Sequence, residues 1–265
     1  MNPQNHIKWA SSLLAGSVAM EIAYLSGLFK ASDALYHGIH VSLIALVVLS
    51  QLALHLRHKG TAGQTSYALL FAIGMAFTGV GDYVNGAMSS VQPVSLKLSW
   101  AMLTFGIGYS LYCLALWRHS QSVAKATPGG LSASRYVIVL LLMLGNVNMW
   151  YQHVESLVAV SDVLYYGSFV FNLSIYVALP TLCAWYFINS KWSIGGLIVL
   201  LGGALIPYSD LILFHSWLPG NPAVASSQSY AWNWILYFGG QVLVSMFPAL
   251  VLDSDLTVNA RHQAG

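Results

Sequence analysis

The stretch that decides the fold is residues 192–214, WSIGGLIVLLGGALIPYSDLILF, which contains no lysine or arginine and only one carboxylate, Asp210. An α-helix needs about 20 mostly apolar residues to cross the hydrocarbon core of a bilayer, and this stretch has that length. A carboxylate inside such a helix is costly in lipid, so we expect Asp210 to have a specific role. The stretch therefore predicts a transmembrane helix that carries a functional residue.

The whole chain has the same character, because 57% of its 265 residues are hydrophobic and only 7% are charged. Ordinary soluble domains have about 25% charged residues. Lipid offers no hydrogen-bond partner to the backbone, so a spanning chain must be helical or a closed barrel, and the long apolar runs here favour helices. We predict an all-α integral membrane protein, a single domain over residues 1–265 with eight transmembrane helices. The predicted spans are 9–28, 34–56, 66–87, 96–117, 135–153, 162–188, 192–214 and 230–251.

The first run could be mistaken for a secretory signal peptide. Glu21 interrupts it and no small-x-small cleavage site follows, so we interpret it as a retained first helix. In the sixth run, Pro180 is the position where we expect a kink.

Lysines and arginines set the predicted orientation, because cytoplasmic loops retain them. Two of them, Lys30 and Lys97, lie on one side of the predicted topology. The other side has Lys8, Arg57, Lys59, Arg118, Lys125, Arg135, Lys191 and Arg261. Both termini are therefore predicted to be cytoplasmic, and the predicted location is the inner (plasma) membrane of a bacterium.

Two carboxylates, Asp82 and Asp210, are predicted to lie at nearly one depth, in the outer half of the membrane, when counted from the span starts at 66 and 192. Small or helix-loosening residues precede each of them: Gly79 and Gly81 before the first, Pro207 and Ser209 before the second. Such residues are typical of helices that line a polar cavity. The alternative is that each Asp is a buried acid with a purely structural partner.

The same two positions suggest an internal repeat. Asp210 follows Asp82 by 128 residues, and Tyr237 follows Tyr109 by the same interval. This offset predicts a weak repeat of two four-helix units, related about the basic loop 118–134.

Several other polar residues are candidates for the cavity. Tyr237 and Gln241 are four residues apart and share one helical face. Glu21 could line the cavity or be a carboxyl kept neutral by burial. His37 and His40 open the second span, where such residues are more often solvated than catalytic.

Other function classes find less support. The net charge of +2 and the scattered basic residues give no nucleic-acid surface. His153 and His215 with Asp82 and Asp210 would make a conceivable zinc set, but no tight ligand spacing accompanies them. We therefore predict no metal and no cofactor. A retinal protein would need a buried lysine in the last helix, and the predicted last span has none.

Four short stretches resemble the YhhN-type integral membrane family, which includes the lysoplasmalogenases. They are 77–82 (FTGVGD), 109–112 (YSLY), 202–210 (GGALIPYSD) and 237–241 (YFGGQ). Their order and spacing are similar to the family pattern. The chain differs from that pattern at Tyr109, where the family usually has His, and in the second helix, which has His37 and His40 in place of Lys.

The resemblance implies hydrolysis of the vinyl ether bond of a lysoplasmalogen, with Asp82 and Asp210 as catalytic residues. The substrate would be a lysophospholipid taken from the surrounding membrane lipids. Its expected contacts are Tyr237, Gln241, Tyr109, Glu21, Tyr208 and Ser209. Two alternatives stay open: a proton-coupled transporter and a zinc-dependent, ceramidase-like lipid hydrolase.

Overall fold

The structure, a computed structural model, describes residues 1–30, 32–58, 65–86, 94–126, 133–217 and 227–264. All the regular secondary structure in these ranges is helical. The helices are α1 (Pro3–Leu25), α2 (Asp33–Arg57), α3 (Thr65–Gly86), α4 (Val94–Ala126), α5 (Ala133–His153), α6 (Glu155–Val158), α7 (Asp162–Asn189), α8 (Ile194–Trp217), α9 (Ser227–Ser245) and α10 (Phe247–Ala264).

Six segments of these helices are long and apolar enough to cross a membrane, so the predicted class, an all-α membrane protein, is confirmed. They are Leu35–Arg57, Ser66–Val84, Leu96–Ala124, Asp162–Asn189, Ile194–Leu213 and Ser229–Ser254. Within the described ranges, α1 and α5 do not belong to this set. Of the eight predicted spans, six thus correspond to segments that are long and apolar enough to cross a membrane.

The helix ends differ from the predicted boundaries for local reasons. Helix α1 begins at Pro3, earlier than predicted, because the Asn2 side chain accepts a hydrogen bond from the Asn5 amide at 2.7 Å and caps the helix. Helix α7 continues without a break through Pro180.

The last predicted span, 230–251, consists of two helices. Helix α9 ends at Ser245 and α10 begins at Phe247, after a one-residue turn at Met246. Pro248 follows directly, and proline is tolerated in a first helical turn because its missing N–H has no acceptor there. The predicted span is therefore present as the apolar segment Ser229–Ser254, with a one-residue interruption of the helix at Met246.

Seven of the described helices pack as a closed ring in the order α1, α2, α3, α4, α7, α8, α9, with α9 returning to α1. Helix α5 packs against α7, and α10 contacts α1, α3, α8 and α9. The core lies inside the ring, where aromatic side chains such as Phe71, Tyr112 and Phe238 are fully buried.

Glycines allow two neighbouring pairs in this ring to approach closely. A Cβ atom on Gly74 of α3 would lie 2.8 Å from the Gly108 carbonyl oxygen of α4. A Cβ atom on Gly202 of α8 would likewise lie 2.8 Å from the Gly240 carbonyl oxygen of α9. Close backbone contact through small residues is the usual packing of helices in lipid, where apolar side chains gain little by leaving the lipid tails. The two pairs carry the aspartates, so this packing fixes the backbones that hold the candidate site.

Candidate functional site

Asp82 and Asp210 come together inside the ring. Asp82 lies near the end of α3 and is half-buried, whereas Asp210 lies near the end of α8 and is only 5% exposed. The two carboxyl groups are close enough to interact electrostatically. The sequence predicted this meeting from their matched depth.

Each carboxylate accepts a hydrogen bond from a tyrosine of a neighbouring helix. The Tyr237 hydroxyl of α9 donates to Oδ2 of Asp82 at 2.7 Å. The Tyr176 hydroxyl of α7 donates to Oδ2 of Asp210 at 2.7 Å. Hydrogen bonds to a carboxylate in a low-dielectric core are among the stronger ones in proteins, so each tyrosine holds its carboxyl in one orientation.

A second layer of polar groups extends from this pair into α4. Tyr109 is fully buried and lies within electrostatic range of both carboxyl groups. Gln241 links Tyr109 to Tyr112. The Tyr112 hydroxyl donates to Oε1 of Gln241 at 2.7 Å, and Nε2 of Gln241 lies 3.5 Å from the Tyr109 hydroxyl. The predicted grouping of Tyr109, Tyr237 and Gln241 with the aspartates is therefore present.

Glu21 belongs to a separate cluster. Its Oε2 accepts a hydrogen bond from the Tyr36 hydroxyl at 2.6 Å, and its Oε1 lies 2.8 Å from Nε2 of His40. The His40 ring stacks on Trp234 with centroids 3.7 Å apart, and Trp234 packs against Tyr237 at 5.8 Å. Two aromatic side chains, Trp234 and Tyr237, thus lie between His40 and Asp82.

The structure corrects the prediction that His40 is solvated. A solvated histidine was the favoured interpretation, but His40 is buried among aromatic rings and paired with a carboxyl. It lies two turns inside α2, deeper than a helix end, and the partner that stabilises it there comes from α1.

Tyr208 and Ser209 do not join the site. The Tyr208 side chain is 58% exposed, so it lies apart from the buried aspartate site. Ser209 is buried, but its hydroxyl donates to the Ile206 carbonyl oxygen at 2.7 Å within the same helix. The Ser209 carbonyl oxygen in turn accepts a hydrogen bond from Nδ2 of Asn233 at 2.6 Å, which ties α8 to α9.

A small cavity lies beside Asp210. It has a volume of about 20 Å³ and is lined by Asp210, Tyr176 and apolar side chains of α4, α7 and α8. A buried space of this size holds about one water molecule. Asp82, Tyr237 and Gln241 do not line this cavity, so it is not the predicted cavity between the two carboxylates.

Among the side chains that the structure describes, no group of three His, Cys, Asp or Glu residues comes together that could hold a metal ion. His153 is exposed at the end of α5. The side chain of His215, the other candidate zinc ligand, lies outside the described set.

Two of the most closely involved residues were not predicted as site residues: Tyr112, which ends the stretch 109–112, and Tyr176. Tyr112 follows Tyr109 by three residues, slightly less than one helical turn, so the helical face that they share was a usable signal. Tyr176 comes from a different helix than its partner Asp210, and no spacing in the sequence connects the two.

Comparison with known proteins gives no relative: no family model matches the chain, and no curated protein and no solved structure is similar to it.

Proposed function

We propose that the protein is a membrane hydrolase that cleaves the vinyl ether bond of lysoplasmalogens, as its resemblance to the YhhN-type family implies. The observation that carries this proposal is the pair Asp82 and Asp210, brought within electrostatic range in the core and each bonded to a tyrosine. Such a pair supplies the two groups that acid hydrolysis of a vinyl ether requires: one proton donor and one negative charge.

The pair can supply both because two neighbouring carboxyl groups in a medium of low dielectric cannot both ionise readily, so they hold one proton between them. The protonated carboxyl donates its proton to the β-carbon of the vinyl ether, and the double-bond electrons form the new C–H bond. The resulting oxocarbenium ion is stabilised by the ionised partner.

Water then completes the reaction. The water adds to the cationic carbon and gives a proton to the ionised carboxylate. The product of this addition is a hemiacetal. The hemiacetal then breaks its carbon–oxygen bond to glycerol: its hydroxyl loses a proton to become the aldehyde carbonyl, and the glycerol oxygen gains one. The products are a fatty aldehyde and a glycerophospho-base. The cavity beside Asp210 has room for that water, which favours Asp210 as the residue that orients it.

The test is to incubate detergent-purified protein with vinyl-ether, alkyl-ether and ester lysophospholipids and to measure aldehyde and fatty acid. Aldehyde is expected from the vinyl ether alone. Asp82→Asn and Asp210→Asn should each remove nearly all of it, and the double variant should lose little more, because coupled catalytic groups act as a unit. Asp162→Asn, at the exposed start of α7, is the matched control and should keep activity.

Other outcomes would overturn the proposal. Full activity in either Asn variant would exclude the two-carboxyl mechanism. Loss of activity on chelation, restored by zinc, would favour a zinc hydrolase. Absence of any product, with proton-driven uptake of a solute into proteoliposomes, would favour a transporter.

We further propose that α1 and α5 also cross the membrane, giving eight spans with both termini cytoplasmic in a bacterial inner membrane. Helix α1 supports this because it packs between α2 and α9 in the ring, and both of these partners form part of apolar segments of spanning length. Reporter fusions at the two ends test the topology. A periplasmic signal from either end would contradict it.

A further inference from the structure

A long apolar groove runs between α4 and α7 on the lipid-facing side of the ring. Its volume is about 770 Å³, within the range of pockets that bind small ligands. Exposed apolar side chains such as Leu103 and Val170 form its rim, and Gly106 and Gly167 contribute to its lining. The groove is therefore a slot between two helices that is open to lipid.

The groove adjoins the candidate active site. Met102 and Phe171 line both the groove and the small cavity that contains Asp210. Met102 has a flexible, unbranched side chain, which can swing with little loss of packing. These two side chains form the one boundary that the groove shares with the Asp210 cavity.

The length of the groove fits one hydrocarbon chain. Along α4 the groove is lined from Leu96 to Leu111, fifteen residues or about 22 Å of helix. From Met102 to Leu111 it follows nine residues, or about 14 Å. A hydrocarbon chain whose first carbons lie at Met102 can therefore extend along this part of the groove.

We propose that this groove holds the single hydrocarbon chain of a lysolipid substrate, with the ether end at Met102 and Phe171 and the chain end near Ser110 and Leu111. The identity of the bond at the ether end rests on the proposed function, whereas the position of the chain does not. The occupant comes from the membrane itself, since the groove opens to lipid and its lining is predominantly apolar.

The groove determines the position of the bound hydrocarbon chain more than the strength of its binding. Lipid tails solvate a hydrocarbon chain as well as apolar side chains do, so the chain gains little free energy by entering. What the groove provides is alignment, which brings the first carbons of the chain to Asp210. A misplacement of about 1 Å can lower a rate about a hundredfold. Blocking the groove is therefore expected to reduce kcat more than it raises KM.

Photocrosslinking tests the position of the chain without any need for catalysis. The probe is an alkyl-ether lysophosphatidylcholine, which has no vinyl ether to cleave, with a diazirine either beside the ether or at the chain end. The first probe should label Met102 or Phe171 and the second Ser110 or Leu111. Labelling spread over lipid-facing helices such as α5, and not reduced by unlabelled lysolipid, would overturn the proposal.

A blocking variant tests the same groove through activity. Ser110 lies on the exposed face of α4, so Ser110→Phe should fold normally while filling the far end of the groove. The expected result is a loss of kcat of about a hundredfold for long chains only. Chains too short to reach Ser110, under about 12 Å, should be unaffected. Leu140→Phe on α5, where Leu140 is 55% exposed, is the matched control. Equal loss for short and long chains would contradict the inference.

The two proposals fail in different ways. Specific labelling of the groove with no aldehyde from any substrate would retain the chain site and reject the hydrolase. Aldehyde release with labelling elsewhere would retain the hydrolase and reject the chain site.

Discussion

The hydrogen bond from Tyr176 to Asp210 allows a sharp test of the candidate site. The two side chains are buried, and their oxygen atoms lie 2.7 Å apart. Tyr176→Phe keeps the ring, which packs against Phe171 with centroids 5.1 Å apart, and removes only the hydroxyl. The substitution therefore changes one interaction of one carboxyl group.

The size of the effect follows from that interaction. A hydrogen bond to a charged group contributes about 1.5–3 kcal/mol. If the carboxylate takes part in the reaction, loss of this hydrogen bond should lower kcat/KM roughly 10- to 150-fold, since about 1.4 kcal/mol corresponds to a factor of ten. The free energy of unfolding should also fall by about 1–3 kcal/mol, because the Asp210 oxygen is left without this donor in the core.

The assay is aldehyde release by the single and double variants, with thermal unfolding in detergent measured in parallel. If Tyr176 acts through Asp210, adding Tyr176→Phe to Asp210→Asn should cause no further loss of activity. Tyr208→Phe is the matched control, because that side chain is exposed and outside the site. Equal effects of the two tyrosine variants, or full additivity with Asp210→Asn, would refute the reasoning.

The remaining predictions concern the fold. Gly202→Ala should lower the free energy of unfolding by about 1–3 kcal/mol, because its Cβ would lie 2.7 Å from the Val244 backbone nitrogen and force α8 from α9. Gly16→Ala, with nothing within 4 Å, should be neutral or stabilise by up to about 1 kcal/mol, and equal thermal shifts in the two variants would contradict this. Glu21→Ala should destabilise by about 1–3 kcal/mol, since buried Tyr36 and His40 lose their hydrogen-bond partner, and an unchanged unfolding temperature would show that the cluster is not structural.

The sequence by itself determined the class of protein and identified the two aspartates as candidate functional residues. Hydropathy sums over a segment depend on composition alone, so the apolar runs at 34–56, 66–87 and 192–214 could be recognised as helices without knowledge of their neighbours. The aspartates could be recognised because a carboxylate in such a run is rare and costly. Their common depth followed from counting residues at a fixed rise per residue.

Only the tertiary structure decided which faces of the helices meet. In water, the apolar stripe of a helix reveals its buried side, but in lipid both sides are apolar and this signal is weak. The exposed position of Tyr208 and the burial of His40 could not be inferred for that reason. The same holds for Tyr176, which reaches Asp210 from another helix. Glycine contacts and hydrogen bonds set the order of the ring, and these depend on three-dimensional partners that no single segment of the sequence contains.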